Sequence, residues 1–404
     1  MTTVISERHQ ILPPPDPPGP IKWMRDNLFG SYFNAIMTLV SLPLLYFILV
    51  GSVQWVLGAD WRPVTQSPLL YAIGQYPREE MWRVGAGLSL VVFLFGLSWG
   101  KWGGLLRPIS SIFIITFAVL SLLPVEHYQL DTSMRLYLGG NALAVVAGYM
   151  LGRMKAFKPS LIMILWALSP VIVITLFSGI ENYTWLPPIA TTSWGGLMVT
   201  FLLAVGGILL SFPIGVLLAL GRRSNLPVVK GFSIVFIETI RGVPLITILF
   251  MFSVILALFL PQETRLDRLL RALIGMTVFS SAYTAENIRG GLQSVDTGQV
   301  EAAKALGMNN FQTMLFIVLP QAIRAVIPAI VGQFISLFKD TTLVLIVSIN
   351  DLLGIGKSII NSDPEFVQLQ AEVYIFIAII YWVFSYLMSI ASRQVETTLG
   401  VGTR

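Results

Sequence analysis

The feature that most constrains this chain is the recurrence, from residue 33 onward, of apolar runs long enough to cross a bilayer. A helix of about 20 apolar residues spans the hydrocarbon core, and lipid admits only structures that satisfy their own backbone hydrogen bonds. Ten such runs are read here, at 33–57, 84–100, 109–125, 136–152, 160–179, 195–219, 231–259, 272–290, 322–347 and 372–392. The second and fourth are short enough to be re-entrant. Breakers such as Leu186-Pro187-Pro188 and Ser362-Asp363-Pro364 separate them. Composition agrees: 55% of the 404 residues are hydrophobic and only 12% charged, about half the usual charged share. So few charges cannot coat a soluble protein of this size. The fold class is therefore an all-α polytopic membrane protein.

Residues 1–32 read as a cytoplasmic tail and an interfacial helix. Prolines at 13–15, 17, 18 and 20 stand where a signal peptide would place its apolar core. Ile21, Met24, Leu28 and Tyr32 then form one stripe opposite Lys22, Arg25 and Asp26, which suits a helix lying in the membrane surface. With a cytoplasmic N-terminus and ten spans, the Lys and Arg of the loops fall sixteen inside and eight outside, the sense of the positive-inside rule. The C-terminus is then cytoplasmic too. The external triplet Arg265, Arg268 and Arg271 runs against this, offset in part by Glu263 and Asp267.

Several chemistries are excluded. Without cysteine there is no disulfide or thiolate site, and two distant histidines, His9 and His127, make no metal centre. A formal charge of +5 is too small to imply nucleic-acid binding. Gly354-Ile355-Gly356-Lys357-Ser358 resembles the end of a phosphate-binding loop, but Asp351 stands where its first glycine is required and no strand precedes it. The chain has no nucleotide site of its own. Gly96 and Gly100, four apart, read as bundle packing rather than as a dimer seam.

The spans divide by charge. Residues 33–194 read as an accessory bundle with almost no charge at mid-depth, and 195–395 as a functional core, followed by a short tail at 396–404. The core alone, 195–404, is expected to assemble with its partners. Its spans carry Glu238, Arg241, Glu286, Lys339 and Asp340, each costing about 2.5–3.5 kcal/mol at the centre of a lone helix. Arg241 falls about 15 Å into its span at helical rise, where a guanidinium can take a carboxylate in bidentate fashion. Neighbouring Gly242 and Pro244 loosen the helix there. The plainer reading is an i,i+3 pair of Glu238 with Arg241, repeated by Glu286 with Arg289. Lys339 and Asp340 project in different directions and need partners on other helices, a pore or a second subunit.

Between the eighth and ninth spans, at 293–320, lies Glu301-Ala302-Ala303-Lys304-Ala305-Leu306-Gly307, then, after nine residues, Ile317-Val318-Leu319-Pro320. Small residues permit close approach by another surface. Gly307 ends the first helix as a left-handed cap, Asn309 and Gln312 offer a capping box to the second, and Pro320 is expected to stop it.

This loop resembles the EAA loop of ATP-binding-cassette importer permeases at every fixed position. Three further stretches resemble the histidine/glutamine-type polar amino acid branch: Glu238-Thr239-Ile240-Arg241-Gly242-Val243-Pro244-Leu245, Ser281 to Gly291 around Tyr283 and Glu286, and Leu337-Phe338-Lys339-Asp340-Thr341-Thr342-Leu343. The resemblance covers about 195–395. The opening Trp23-Met24-Arg25-Asp26-Asn27-Leu28-Phe29 looks like the long permeases of general L-amino acid importers. Asn287 and Thr342 depart mildly from the family's usual residues.

The resemblance implies a five-span permease core of a type I importer, without catalysis of its own. ATP and magnesium would be bound by a dimer of separate ATPase subunits. Glu301, Ala302, Ala303, Gly307, Leu319 and Pro320 would form the coupling loop. Glu238, Arg241, Tyr283, Glu286, Lys339, Asp340 and Thr341 are the substrate-path candidates. Further partners would be a second permease, homologous but different, and a periplasmic amino acid binding protein, in a bacterial inner membrane. The alternative is an ion-coupled secondary transporter using the same carboxylates, for which an inverted repeat is expected and none is visible.

Overall fold

The computed structural model describes residues 19–104, 106–122, 132–261 and 266–400. The Pro-rich start, His9, His127, Glu263, Arg265 and Arg404 lie outside them. Among the described residues the regular structure is helical. The chain separates into two compact units, Met1–Asp60 and Trp61–Arg404.

In the first unit, α1 (Pro20–Leu28) starts on a proline and α2 (Tyr32–Gly58) is capped by Ser31, whose side chain accepts from Asn34 N–H. Thr38 Oγ1 donates to Leu28 O at 2.8 Å and ties the two helices together. Thr38 is the buried residue of α2.

The second unit opens with two short helices, α3 (Arg62–Thr65) and α4 (Pro68–Ile73). A four-helix group follows: α5 (Met81–Trp102), α6 (Arg107–Leu122), α7 (Thr132–Gly152) and α8 (Pro159–Ser178). α5 lies along α7 at backbone contact. A Cβ on Gly96 would fall 2.2 Å from Val145 O, and one on Gly148 2.3 Å from Phe93 O. Only glycine lets the two backbones approach so closely, and in lipid such contacts replace the missing hydrophobic drive.

The remaining helices are α9 (Gly196–Arg222), α10 (Pro227–Gly242), α11 (Leu245–Phe250), α12 (Leu256–Phe259) and α13 (Arg268–Ser294). α14 (Thr297–Ala305), α15 (Asn310–Gln312), α16 (Leu319–Asp340), α17 (Leu352–Ile360) and α18 (Gln370–Leu399) complete the chain. Each of the ten expected spans falls on helix among the described residues, with 123–125 of the third lying outside them. Six are long and apolar enough to cross a membrane, or seven when the bent pair α10 with α11–α12 counts as one. α6 has 16 residues, while α7 and α13, with 21 and 27, are long enough but less apolar. At 22 and 21 residues, the second and fourth expected spans form full-length helices.

Three elements are not visible as spans: α3, α4 and α17. They matter because the core is not walled off at residue 195. Tyr71 of α4 shares a core with Ala204, Phe338, Leu352, Ile355 and Tyr381. Ile73, Tyr76, Phe177 and Trp194 share another with Leu203, Leu249, Met276 and Val344. Arg83, fully buried, donates to Glu80 and to Pro187 O, both at 2.8 Å, and holds the 179–194 loop onto α5. Thr191 Oγ1 then bonds Asp267, the N-cap of α13.

Candidate functional site

α14 begins on Asp296, whose carboxylate accepts from Gly298 N–H at 2.7 Å. Ala303 is its one buried residue, and Glu301, Ala302, Lys304 and Ala305 are exposed. Gly307 has φ +81° and donates to Lys304 O at 2.9 Å, the left-handed cap that the sequence implies. Asn309 and Gln312 form the reciprocal capping box, at 2.8 and 3.0 Å. The second helix is not stopped by Leu319-Pro320, contrary to the sequence expectation. A π turn at Thr313–Val318 joins α15 to α16, and Pro320 sits in the first turn of the new segment, where a missing N–H costs nothing. Leu306 and Phe311, 83% and 73% exposed, stand out beside the turn. Sequence reading missed them, although apolar side chains in a polar loop are the signal of a docking surface.

The ionised residues of α9, α10 and α13 converge. Arg222 Nη1 lies 2.8 Å from Glu238 Oε1 and 3.6 Å from Glu286 Oε2. Arg241 Nη1 lies 3.7 Å from Glu286 Oε2, and its guanidinium sits 5.6 Å from the centre of the Tyr283 ring, within cation–π range. Arg289 donates to Glu286 through Nε at 2.9 Å and Nη2 at 2.5 Å. The Glu286–Arg289 pair thus has the local i,i+3 geometry. Glu238 does not pair with Arg241: its partner is Arg222, which sequence reading left in a loop.

The depth expected for Arg241 also needs correction. Arg222 ends α9, and Glu286 and Arg289 occupy the closing turns of α13, so the cluster belongs to one end of the core rather than to its middle. The 15 Å figure assumed one straight span. The structure instead bends by 108° between α10 and α11–α12, at Gly242-Val243-Pro244, because proline removes a ladder bond and restricts its neighbour.

Lys339 and Asp340 end α16, and no ion pair reaches either among the described residues. Lys339 is exposed and Asp340 half-buried. Gln321, Arg324, Ala325, Ala329, Gly332, Ser336 and Lys339 form one exposed stripe along α16, while Ala322, Ile330, Leu337 and Phe338 are buried opposite. Small and polar residues are what a helix turns toward protein or water, not toward lipid. Thr341, by contrast, is buried, donating to Phe338 O at 2.8 Å and lying 3.3 Å from Tyr381 OH. Tyr381 OH donates at 3.0 Å to Asp351, the fully buried N-cap of α17. The Gly354–Ser358 stretch is accordingly part of a packed helix. Asn287 Nδ2 donates to Gln333 Oε1 at 2.8 Å, and Gln333 reaches back to Ser280 O and Thr284. The amide departure is therefore a satisfied bridge between α13 and α16.

A bent span, a capped two-helix loop and a polar α16 face stand together in one helical membrane protein. Residues 211–400 match the family model of binding-protein-dependent transport system inner membrane components. The chain is 34% identical over 396 residues, 94% of its length and 93% of that protein's, to the inner membrane amino-acid ABC transporter permease protein YhdY of Escherichia coli strain K12. It is 33% identical over 426 residues, 94% of each chain, to the glutamate/glutamine/aspartate/asparagine transport system permease protein BztC of Rhodobacter capsulatus. A crystal structure of an amino acid ABC transporter with histidines, 31% identical, has a TM-score of 0.46 and covers 50% of this chain and 92% of that one. The chain belongs to the amino-acid ABC transporter permeases. Membership sets aside the ion-coupled alternative.

Proposed function

We propose that this chain forms part of the translocation path of an ATP-driven amino acid importer and takes its motive force through the 293–320 loop. The observation that carries this reading is continuity. α13 holds Glu286 and Arg289 against Arg222 and Arg241, and the docking helix α14 starts immediately after it. A displacement of α14 therefore bears directly on the charged cluster and on the bend at 242–244. The partner ATPase dimer binds ATP and magnesium. Leu306, Phe311 and the Glu301–Gly307 helix seat in it, with Leu319 and Pro320 anchoring the loop to α16. A second, homologous but different permease covers the α16 stripe, and a periplasmic binding protein delivers substrate. Both termini face the cytoplasm of a bacterial cell, across its inner membrane.

Neutral and acidic amino acids are the proposed substrates. Three arginines face two glutamates in the cluster, an excess of positive charge that suits a carboxylate, and the Rhodobacter relative bears a name of that substrate class. Arg241 takes the carboxylate against Tyr283. Lys339 and Asp340 contact the substrate at the other end of the path, and the buried Thr341 fixes the end of α16 behind them. Uptake by Arg241→Ala in the assembled transporter tests this: transport should fall while stimulated ATPase activity remains. Undiminished uptake of glutamate and glutamine would remove the carboxylate role. Glu301→Lys should separate ATP hydrolysis from transport, and wild-type coupling in that variant would remove the docking role.

A further inference from the structure

The geometry points to a binding site for anionic phospholipid headgroups at the inner end of the α5–α8 group. Two turns build it, one where Leu106 N–H donates to Gly103 O between α5 and α6, and one at Arg153–Lys158 between α7 and α8. Glycine brings them together: a Cβ on Gly100 would lie 3.0 Å from Gly152 Cα and 3.1 Å from Arg153 N. Lys101, Arg107, Arg153, Lys155 and Lys158 sit on or beside these turns, and all but Lys101 are exposed. No ion pair reaches any of the five among the described residues, and the segments 81–122 and 132–178 contain no Asp or Glu at all.

The permease core treats its inner cations differently. Arg222 and Arg289 face Glu238 and Glu286, and Arg223 donates to Leu292 O at 3.0 Å. The charge of the α5–α8 group has no such compensation within the fold. Its surroundings are those of a bilayer surface: Trp102 and Met154 are exposed, and Tyr149 lies against Trp99, ring centres 4.3 Å apart and tilted by 36°, with the Arg153 guanidinium 5.8 Å from the centre of its ring. Aromatic rings of this kind sit at headgroup level, and basic pockets between helices on the cytoplasmic side take anionic headgroups. Orientation alone needs only cations in the loops. Five converging cations without a carboxylate supply a site for phosphodiester oxygens as well. The inference rests on the orientation proposed above, which places both turns inside.

The chain has no cysteine, so Ala156→Cys gives a single thiol whose labelling by an impermeant reagent reports which side the turn occupies. The assembled transporter, taken from nanodiscs of phosphatidylglycerol and phosphatidylcholine, is then analysed by native mass spectrometry for retained lipid. The wild type should retain phosphatidylglycerol in preference. The variant Arg107→Gln/Lys155→Gln/Lys158→Gln should lose that preference, with affinity lowered about 100-fold at about fivefold per cation. Lys155→Arg/Lys158→Arg should keep it, and inorganic phosphate should not displace the lipid. Unchanged retention in the neutralised, correctly oriented variant overturns the site. So does displacement by phosphate, or loss of the ATPase subunit in place of lipid. External labelling of Ala156→Cys overturns the orientation, and the leaflet with it.

Discussion

Glu286 is the carboxylate on which the charged cluster turns, and its replacement by Gln is the sharpest test of that geometry. Arg289 donates to it at 2.5 and 2.9 Å, and Arg222 and Arg241 stand 3.6 and 3.7 Å away. Its side chain is 22% exposed, between two regimes. Exposed ion pairs contribute at most about 1 kcal/mol, whereas removing one partner of a buried pair costs about 3–5 kcal/mol. Glu286→Gln keeps the shape and one acceptor but leaves three guanidiniums facing each other, so a loss of about 2–3 kcal/mol is expected. Arg289→Gln should cost less, because Glu286 still has two cations. Arg241→Gln should cost at most about 1 kcal/mol, since its nitrogen stands 3.7 Å from Glu286, beyond hydrogen-bond distance. The ordering is read from the unfolding midpoints of the assembled transporter in nanodiscs. A Glu286→Gln variant as stable as the wild type, or an Arg241→Gln loss equal to that of Arg289→Gln, refutes the reasoning.

Gly148→Leu should prevent α5 and α7 from closing, since even its Cβ would lie 2.3 Å from Phe93 O; the expected outcome is loss of folded yield in membranes, with Gly139→Leu, whose Cβ has only Ser121 side-chain atoms near, at 3.8 and 3.9 Å, nearly neutral. Deletion of 1–60 should leave Trp61–Arg404 folded, whereas deletion of 1–194 strips Tyr71, Ile73, Tyr76, Phe177 and Trp194 from two cores and should abolish recovery of assembled transporter, as measured by copurification. Burial pushes Asp351 up to about 6, against the donors Gly354 N–H and Tyr381 OH that pull it down. Ionisation therefore costs the folded state more than the unfolded one, a penalty absent below about pH 4, growing to pH 6 and full above it, about 3 kcal/mol. Melting of the wild type should then improve as pH falls from 7 to 5, and Asp351→Asn should flatten that slope; a slope unchanged in the variant would place the titration elsewhere.

The spans were legible because bilayer thickness converts apolar length into structure without knowledge of neighbours, and the two short helices at 297–312 because their caps are local chemistry at Gly307, Asn309 and Gln312. What was not legible depends on contacts far apart in the chain. Arg222 as the partner of Glu238 is invisible to i,i+3 reasoning, and the depth of Arg241 follows from a bend whose angle the Gly-Val-Pro sequence permits but does not set. α3, α4 and α17 are short helices between breakers and read as loops. Asp351, which disqualified a phosphate loop, is a helix cap whose second oxygen is claimed by a tyrosine 30 residues on. The π turn before Pro320 is a register shift that packing, not propensity, decides.

The break between α10 and α11 has a consequence for hydration. The ladder closes on Ile240 O at Val243 and restarts on Pro244 O at Thr247, leaving peptide groups between them open on the exposed surface of Gly242, Pro244 and Thr247. Hydrocarbon cannot satisfy such groups, so water must. A wet notch at this point means that the amides flanking it exchange with solvent far faster than those of the neighbouring helices α9 and α13, whose Leu203 and Met276 lie in the dry core.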